Sequence, residues 1–258
     1  MNHQIQIIIP LLQRDFFIFR QVYVHKMRIA LLRIMLLVFV AKMFLPAMGL
    51  QNYGPFLLMS SAIGYGFFIA AYNAIDLFDD ITDNQAILYE LTLPVQQWMI
   101  FAKYAISTAL QSFIVSLSII PCGLLVLGNL QAFAQFSLLK FIMILICSSI
   151  FYGAFMLVLI SCMKTIAQIE NVWLRLIFPL WYLGCFQFSW QTLYKISPMI
   201  AYIDLCNPMT FIMEGMRSAT INSSGSLPFW ICCAMILFYA MFSFVLGLYW
   251  MKKRLDCL

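Results

Sequence analysis

The sequence predicts an all-α integral membrane protein with six crossings, and three observations carry that reading. Hydrophobic residues make up 64% of the 258 and charged residues only 10%, with a mean hydropathy of +0.93, whereas soluble domains run near half apolar and a quarter charged. Six apolar windows are each long enough to supply the roughly 20 residues that cross about 30 Å of hydrocarbon. None shows the alternating ten-residue pattern of a membrane barrel, so each must be a helix, because lipid offers backbone groups no partners.

The windows fall near 30–49, 56–75, 99–127, 137–162, 172–190 and 228–250. Lys and Arg collect in short cytoplasmic segments. Arg14, Arg20, Lys26 and Arg28 precede the first window, and Lys252, Lys253 and Arg254 follow the last. Both termini are therefore expected in the cytoplasm of a multi-pass protein of the cell membrane. The segments 50–55 and 128–136, expected outside, contain no Lys or Arg.

Residues 1–29 do not read as a signal peptide, because charges recur through them and no small-residue cleavage site follows a short apolar core. Ile5, Ile8, Ile9, Leu12, Phe16, Phe19 and Tyr23 recur at helical spacing, with Arg14, Asp15, Arg20 and Gln21 elsewhere on the wheel. That pattern predicts an amphipathic interfacial helix, with Pro10 as a place where its firm part starts. The membrane domain is then 30–258. Within the first window Lys42 lies near the middle, where a charge costs several kcal/mol unless it snorkels, pairs or meets water. Pro46, a turn on, would help it snorkel; the alternative is a pathway or subunit-interface residue.

After the second window, residues 76–98 read DLFDDITDNQAILYELTLPVQQW, with Asp76, Asp79, Asp80, Asp83 and Glu90 and no Lys or Arg. This segment is either a solvated loop or a docking element. In the second case QAILYEL forms a short helix that ends before Pro94 and offers Ile87, Leu88 and Leu91 to a partner. KTIAQIEN, carrying Lys164 and Glu170, is a second and smaller cytoplasmic turn. Near the outer end of the fifth window, Trp181, Tyr182, Phe186, Phe188, Trp190 and Tyr194 form either an interfacial aromatic belt or a lining for an amphipathic substrate.

Residues 207–220, NPMTFIMEGMRSAT, carry a strong helix start: Asn207 can cap, and Pro208 at the first position gives up only an N–H without a partner. Asn207, Thr210, Glu214 and Arg217 form one polar stripe, and Met209, Ile212, Met213 and Met216 a second, apolar one. The result is a short amphipathic helix, too short to cross, that lies at the outer surface or dips in and returns. Glu214 and Arg217, three apart, can pair.

Several functions are excluded by what the spans lack. No Asp or Glu lies well inside any window, which argues against ion coupling. There is no Gly-Lys dipeptide and so no phosphate-binding loop of the G-x-x-x-x-G-K-[ST] type. His3 and His25 are the only histidines, and no His/carboxylate/Ser constellation is available, so no catalytic residues are proposed. The eight cysteines include no CxxC pair; they read as small apolar packing residues, not as disulfides or a metal cage. Any energy must enter from another subunit.

Two stretches, LCNPMTFIMEGMR (205–217) and LYELTLPVQQWMIFAKY (88–104), carry a family resemblance. With six windows, both ends inside and an N-terminal interfacial helix, the chain resembles the permease subunits of type-2 ATP-binding-cassette exporters over nearly its whole length. The first stretch matches the family's Asn-Pro-hydrophobic-Thr followed by Glu and Arg. The second matches its acidic residue, Leu-x-x-Pro stretch and Lys, as Glu90, Pro94 and Lys103. The resemblance implies a homodimer, or a pair with a similar subunit, carrying two cytoplasmic ATPase subunits that hold the ATP and Mg, with no cofactor or metal on this chain and no nucleic-acid partner. It makes 80–94 a coupling helix and 191–222 an outer re-entrant region whose polar stripe shapes an external gate. ELTLPVQQW is closer to the branch that exports drugs, lipids and lipo-oligosaccharides than to the branch that exports O-antigen or teichoic acid. QFSWQTLYKISPMIAYIDL departs from the family's usual small-residue and proline placement. A non-transport membrane scaffold or assembly factor is the reading from a different class.

Overall fold

The computed structural model describes residues 2–44, 53–81, 86–128, 133, 136–163, 168–221 and 225–255. Pro46, Asp83 and Lys164, singled out above, lie outside the described residues, as do the side chains of His3, Ile5, Leu88 and Arg254. Every regular element among the described residues is a helix. Four helices are long and apolar enough to cross a membrane: α2 (Tyr53–Asp79), α4 (Gln97–Leu127), α5 (Leu138–Cys162) and α11 (Phe229–Leu255). They coincide with the expected second, third, fourth and sixth spans.

The first and fifth windows take a different form. Helix α1 (Asn2–Met43) runs unbroken for 42 residues through both the expected interfacial segment and most of the first window, with Pro10 inside it rather than at its start. It carries too many charges for its length to rank with the four. The fifth window is composite: α6 (Gln168–Val172), a π-helical turn (Trp173–Ile177) and α7 (Phe178–Leu183), which stops at Gly184. Single π turns widen a helix where its packing demands it. Here Trp173 stacks on Phe68 of α2, and Trp181, two turns on, meets the same ring edge-on at 4.9 Å.

Helix α2 is the central post, buried along nearly its whole length, and α5 is the next most enclosed. Small residues make that position possible, since interhelical contact within a membrane depends on close backbone approach and on hydrogen bonds between helices. Tyr152 Oη of α5 donates to Ile63 O at 2.9 Å, and Ser112 Oγ of α4 to Gly66 O at 3.1 Å. Phe67, Phe151 and Phe155 stack between α2 and α5. Helix α4 runs antiparallel to α2: its Thr108 and Gln111 meet Asn73, while its Gly123 meets Leu58.

Helix α1 packs on α4 and α2. Its Tyr23 hydroxyl bonds Ser118 Oγ at 2.6 Å, and Lys26 Nζ donates to Asn73 Oδ1 at 3.2 Å. Its outward side is apolar and open, with Phe17, Leu32, Leu36 and Phe39 exposed.

Between α7 and α11 lie α8 (Trp190–Ile196), α9 (Pro198–Asp204) and α10 (Pro208–Thr220). Helices α8 and α9 lie largely on the surface, with Ile196, Met199 and Ile203 exposed, whereas α10 is sunk between α2, α5 and α11. The bundle thus has a Glu90 end, where α2 finishes and α4 begins, and an Arg217 end.

Candidate functional site

Two clusters of charged side chains stand at opposite ends of the bundle. At the Glu90 end, the six-residue helix α3 (Ala86–Leu91) follows the end of α2 and closes in a turn: Thr92 N donates to Tyr89 O and Leu93 N to Glu90 O. The expectation that Ile87 faces a partner is corrected, because Ile87 is fully buried in the core. Leu91 is half-buried against that core, and Pro94 is exposed in the turn before α4. Ile87 therefore fastens α3 down, and the open side belongs to Tyr89, which is 70% exposed.

Glu90, only 2% exposed, points inward. Lys103, one and a half turns into α4, places its ammonium 3.0 Å and 2.8 Å from the two Glu90 carboxylate oxygens and 3.0 Å from Asp15 Oδ2 of α1. Its ammonium thus donates to both Glu90 oxygens and is ion-paired with Asp15, which is what allows a lysine with a fully buried side chain. Arg14 closes the ring, reaching both Asp15 and Glu90. Burial by itself would raise the Glu90 carboxyl, but the hydrogen bonds and charges of Lys103 and Arg14 outweigh it and hold Glu90 below the ordinary carboxylate range. Two cations and two anions cancel, so a short surface element is tied to both α1 and α4.

At the Arg217 end the expected cap is present: Asn207 Oδ1 accepts from Met209 N at 3.0 Å, while its Nδ2 donates to Leu180 O at 2.8 Å and so joins α10 to α7. Thr210 Oγ1 lies 3.0 Å from Asp204 Oδ2, to which Cys185 Sγ also donates. Of the two placements that the spacing leaves open for α10, at the surface or sunk inward, the structure takes the second. Glu214 and Arg217 are both fully buried, and of the 13 residues of α10 only Ser218 is not.

The reason lies in segment 184–190, which folds over the stripe. Arg217 donates to Glu214 Oε1 at 2.9 Å, to Ser60 Oγ at 2.8 Å and to the carbonyls of Cys185, Phe186 and Phe188, with its guanidinium 3.7 Å from the Phe56 ring centroid. Cys185, the one described non-glycine residue with positive φ (57°), turns the chain so that these carbonyls converge. Glu214 Oε1 also accepts from Trp190 N at 2.9 Å. Glu214 Oε2 and Trp181 Nε1 are the two buried polar side-chain atoms without a hydrogen-bond partner among the described residues.

The remaining expected residues scatter. Lys42 is exposed near the far end of α4, 3.7 Å from where a Cβ on Gly128 would stand. Tyr182 is exposed, Trp181 packs on Phe186 at 4.2 Å, and Trp190 Nε1 donates to Ala201 O. Sequence reasoning missed Arg14 as a partner of Glu90, Asp15 as a partner of Lys103, and Ser60 as a ligand of Arg217. An Arg-Asp pair in an otherwise apolar stretch was the signal for the first two; a lone buried serine gives none. Among the described residues no group of three metal-ligating side chains comes together. No family model, no curated protein and no solved structure matches the chain.

Proposed function

We propose that this chain is the membrane-spanning permease subunit of an ATP-binding-cassette exporter, moving an amphipathic substrate such as a drug, lipid or lipo-oligosaccharide outward. The ATP is hydrolysed by a separate cytoplasmic subunit, two of which serve a pair of permease chains. In this reading the Glu90 end is cytoplasmic, and residues 30–43 of α1 together with the composite segment 168–183 complete six crossings.

One observation carries the reading: Glu90 of the surface helix α3 is bound by Lys103 of α4 and Arg14 of α1. A push on the exposed Tyr89 side of α3 reaches two long helices through charge-assisted hydrogen bonds, as a subunit driven from outside requires. The buried Glu214–Arg217 pair supports a modified role for the opposite end. It fastens the 184–190 segment onto α2, so any gate there moves as a block rather than through a wetted stripe.

The test is purification of the chain from its own membrane with an ATP-binding-cassette ATPase bound, then repetition with Tyr89→Arg and with Glu90→Ala combined with Leu91→Ala. Loss of the complex in both variants, with the chain still inserted, is the expected result. A stable complex in both sinks the docking assignment. Uphill transport by the chain reconstituted alone sinks the exporter reading itself.

A further inference from the structure

A groove of about 360 Å³ lies between the composite segment that ends in α7 and the surface helices α8 and α9. Leu176, Leu180 and Leu183 line one wall, and Leu193, Ile200 and Ile203 line the other. Leu183, Ile200 and Ile203 are exposed, so the groove opens outward, beside four helices of membrane-crossing length. From Arg175 to Leu183 the chain rises about 12 Å. That is most of one leaflet's half of the roughly 30 Å of hydrocarbon.

Two charged residues line the groove, and they differ in what holds them. Asp204 is only 7% exposed, and its Oδ2 already accepts from Thr210 Oγ1 and Cys185 Sγ. Asn207 beside it is likewise engaged, through Leu180 O and Met209 N. Arg175 is exposed and has no ion-pair or hydrogen-bond partner among the described residues. Trp173, two residues earlier, packs on Phe68 and Tyr72 in the half of α2 that ends at Asp79, so Arg175 stands at the end of the groove nearer Glu90. A lone guanidinium between Leu174 and Leu176 is costly in hydrocarbon unless it meets an anion or water. Its planar fork matches two phosphate oxygens at once.

We propose that this groove binds a phospholipid of net negative charge, with its phosphate on Arg175 and one acyl chain laid between the Leu180 and Ile200 walls. The proposal goes beyond the exporter reading and does not depend on it, because it names a membrane lipid that the chain holds and not a cargo. A free phosphate would leave both apolar walls unused. An uncharged lipid would leave Arg175 without an anion.

The test is native mass spectrometry of the full chain in detergent, titrated with dioleoylphosphatidylglycerol and with dioleoylglycerol, which share both chains and differ in the charged head. The phospholipid is expected to fill one site per chain about tenfold more tightly, the worth of one charge-assisted contact. Arg175→Gln should remove that advantage and leave dioleoylglycerol unchanged, while Arg175→Lys, which keeps the charge, should retain most of it. Ile200→Trp, which fills the groove, should weaken both lipids alike. Excess inorganic phosphate should displace neither. Equal affinity for the two lipids, indifference to Arg175→Gln, or failure of Arg175→Lys to retain the phospholipid overturns the proposal. Indifference to Ile200→Trp also overturns it, since Arg175 would then reach a headgroup without the groove, and so does displacement by inorganic phosphate. No ATPase takes part in this measurement, so its failure leaves the exporter reading standing.

Discussion

Arg217 Nη1 lies 2.9 Å from Glu214 Oε1 with both side chains fully buried, on a helix whose polar spacing suggests one wetted face. The pair survives burial because the guanidinium is saturated. Besides Glu214 it holds Ser60 Oγ and three backbone carbonyls. A buried ion pair contributes little net stability when intact and costs much when one partner is removed.

The two partners should therefore respond unequally. Arg217→Ala abandons one carboxylate and the carbonyls of Cys185, Phe186 and Phe188, and is expected to cost about 3 to 5 kcal/mol. Glu214→Gln keeps an acceptor for Trp190 N and Arg217, and supplies an amide where Oε2 has no partner among the described residues. Its expected cost is about 1 to 2 kcal/mol. Thermal unfolding followed by size-exclusion chromatography in detergent separates the two, and equal losses would show that the carbonyl contacts of Arg217 carry nothing.

At the other end, Glu90 gives the stability a defined pH dependence. Burial raises its carboxyl, Lys103 and Arg14 lower it further, and the net displacement is downward. A group whose folded value lies below its unfolded one adds stability above the unfolded value, ordinarily near 4.3 for Glu, and that contribution disappears as pH falls through the folded value. The difference in melting temperature between the parent and Glu90→Gln should be full near neutral pH and shrink steadily below about pH 4. A difference that stays constant down to pH 3 would mean that the Lys103 contact is no stronger for the ionised carboxylate than for the amide.

What the sequence made legible follows from which forces act locally. Hydrophobic windows report transfer into lipid residue by residue, so α2, α4, α5 and α11 stand where they are expected. Asn207 and Pro208 likewise act within their own turn and start α10. The fate of Glu214 and Arg217 depends on whether segment 184–190 folds over them, a contact with no periodicity to read. The same holds for α1, where helical spacing up to Tyr23 and the apolar window from residue 30 look like two elements. Nothing local between them breaks the helix, and Lys26 finds Asn73 and Asp76 on a neighbouring helix. The cluster around Glu90 was half legible: Glu90 and Lys103 show in the sequence, whereas the inward turn of Ile87 is set by packing.

The contacts of α4 with α2 and with α5 yield a comparison that hydropathy alone would not suggest. Both Gly123 and Gly153 are tight: a Cβ at Gly123 would stand 2.0 Å from Leu58 Cδ1, and one at Gly153 would stand 2.2 Å from the Ala105 carbonyl oxygen. The first obstacle is the tip of a leucine, which can change rotamer at a cost of about 1 kcal/mol. The second is backbone inside α4, and it can yield only if the two helices move apart along a packed interface that tolerates little displacement. Gly123→Ala is accordingly expected to cost about 1 kcal/mol or less, offset in part by alanine's better helix propensity. Gly153→Ala should cost about 3 kcal/mol, the upper range of overpacking. Melting curves of the two variants in the same detergent decide the matter, and a milder effect at Gly153 than at Gly123 would show that α4 and α5 do not touch through Ala105.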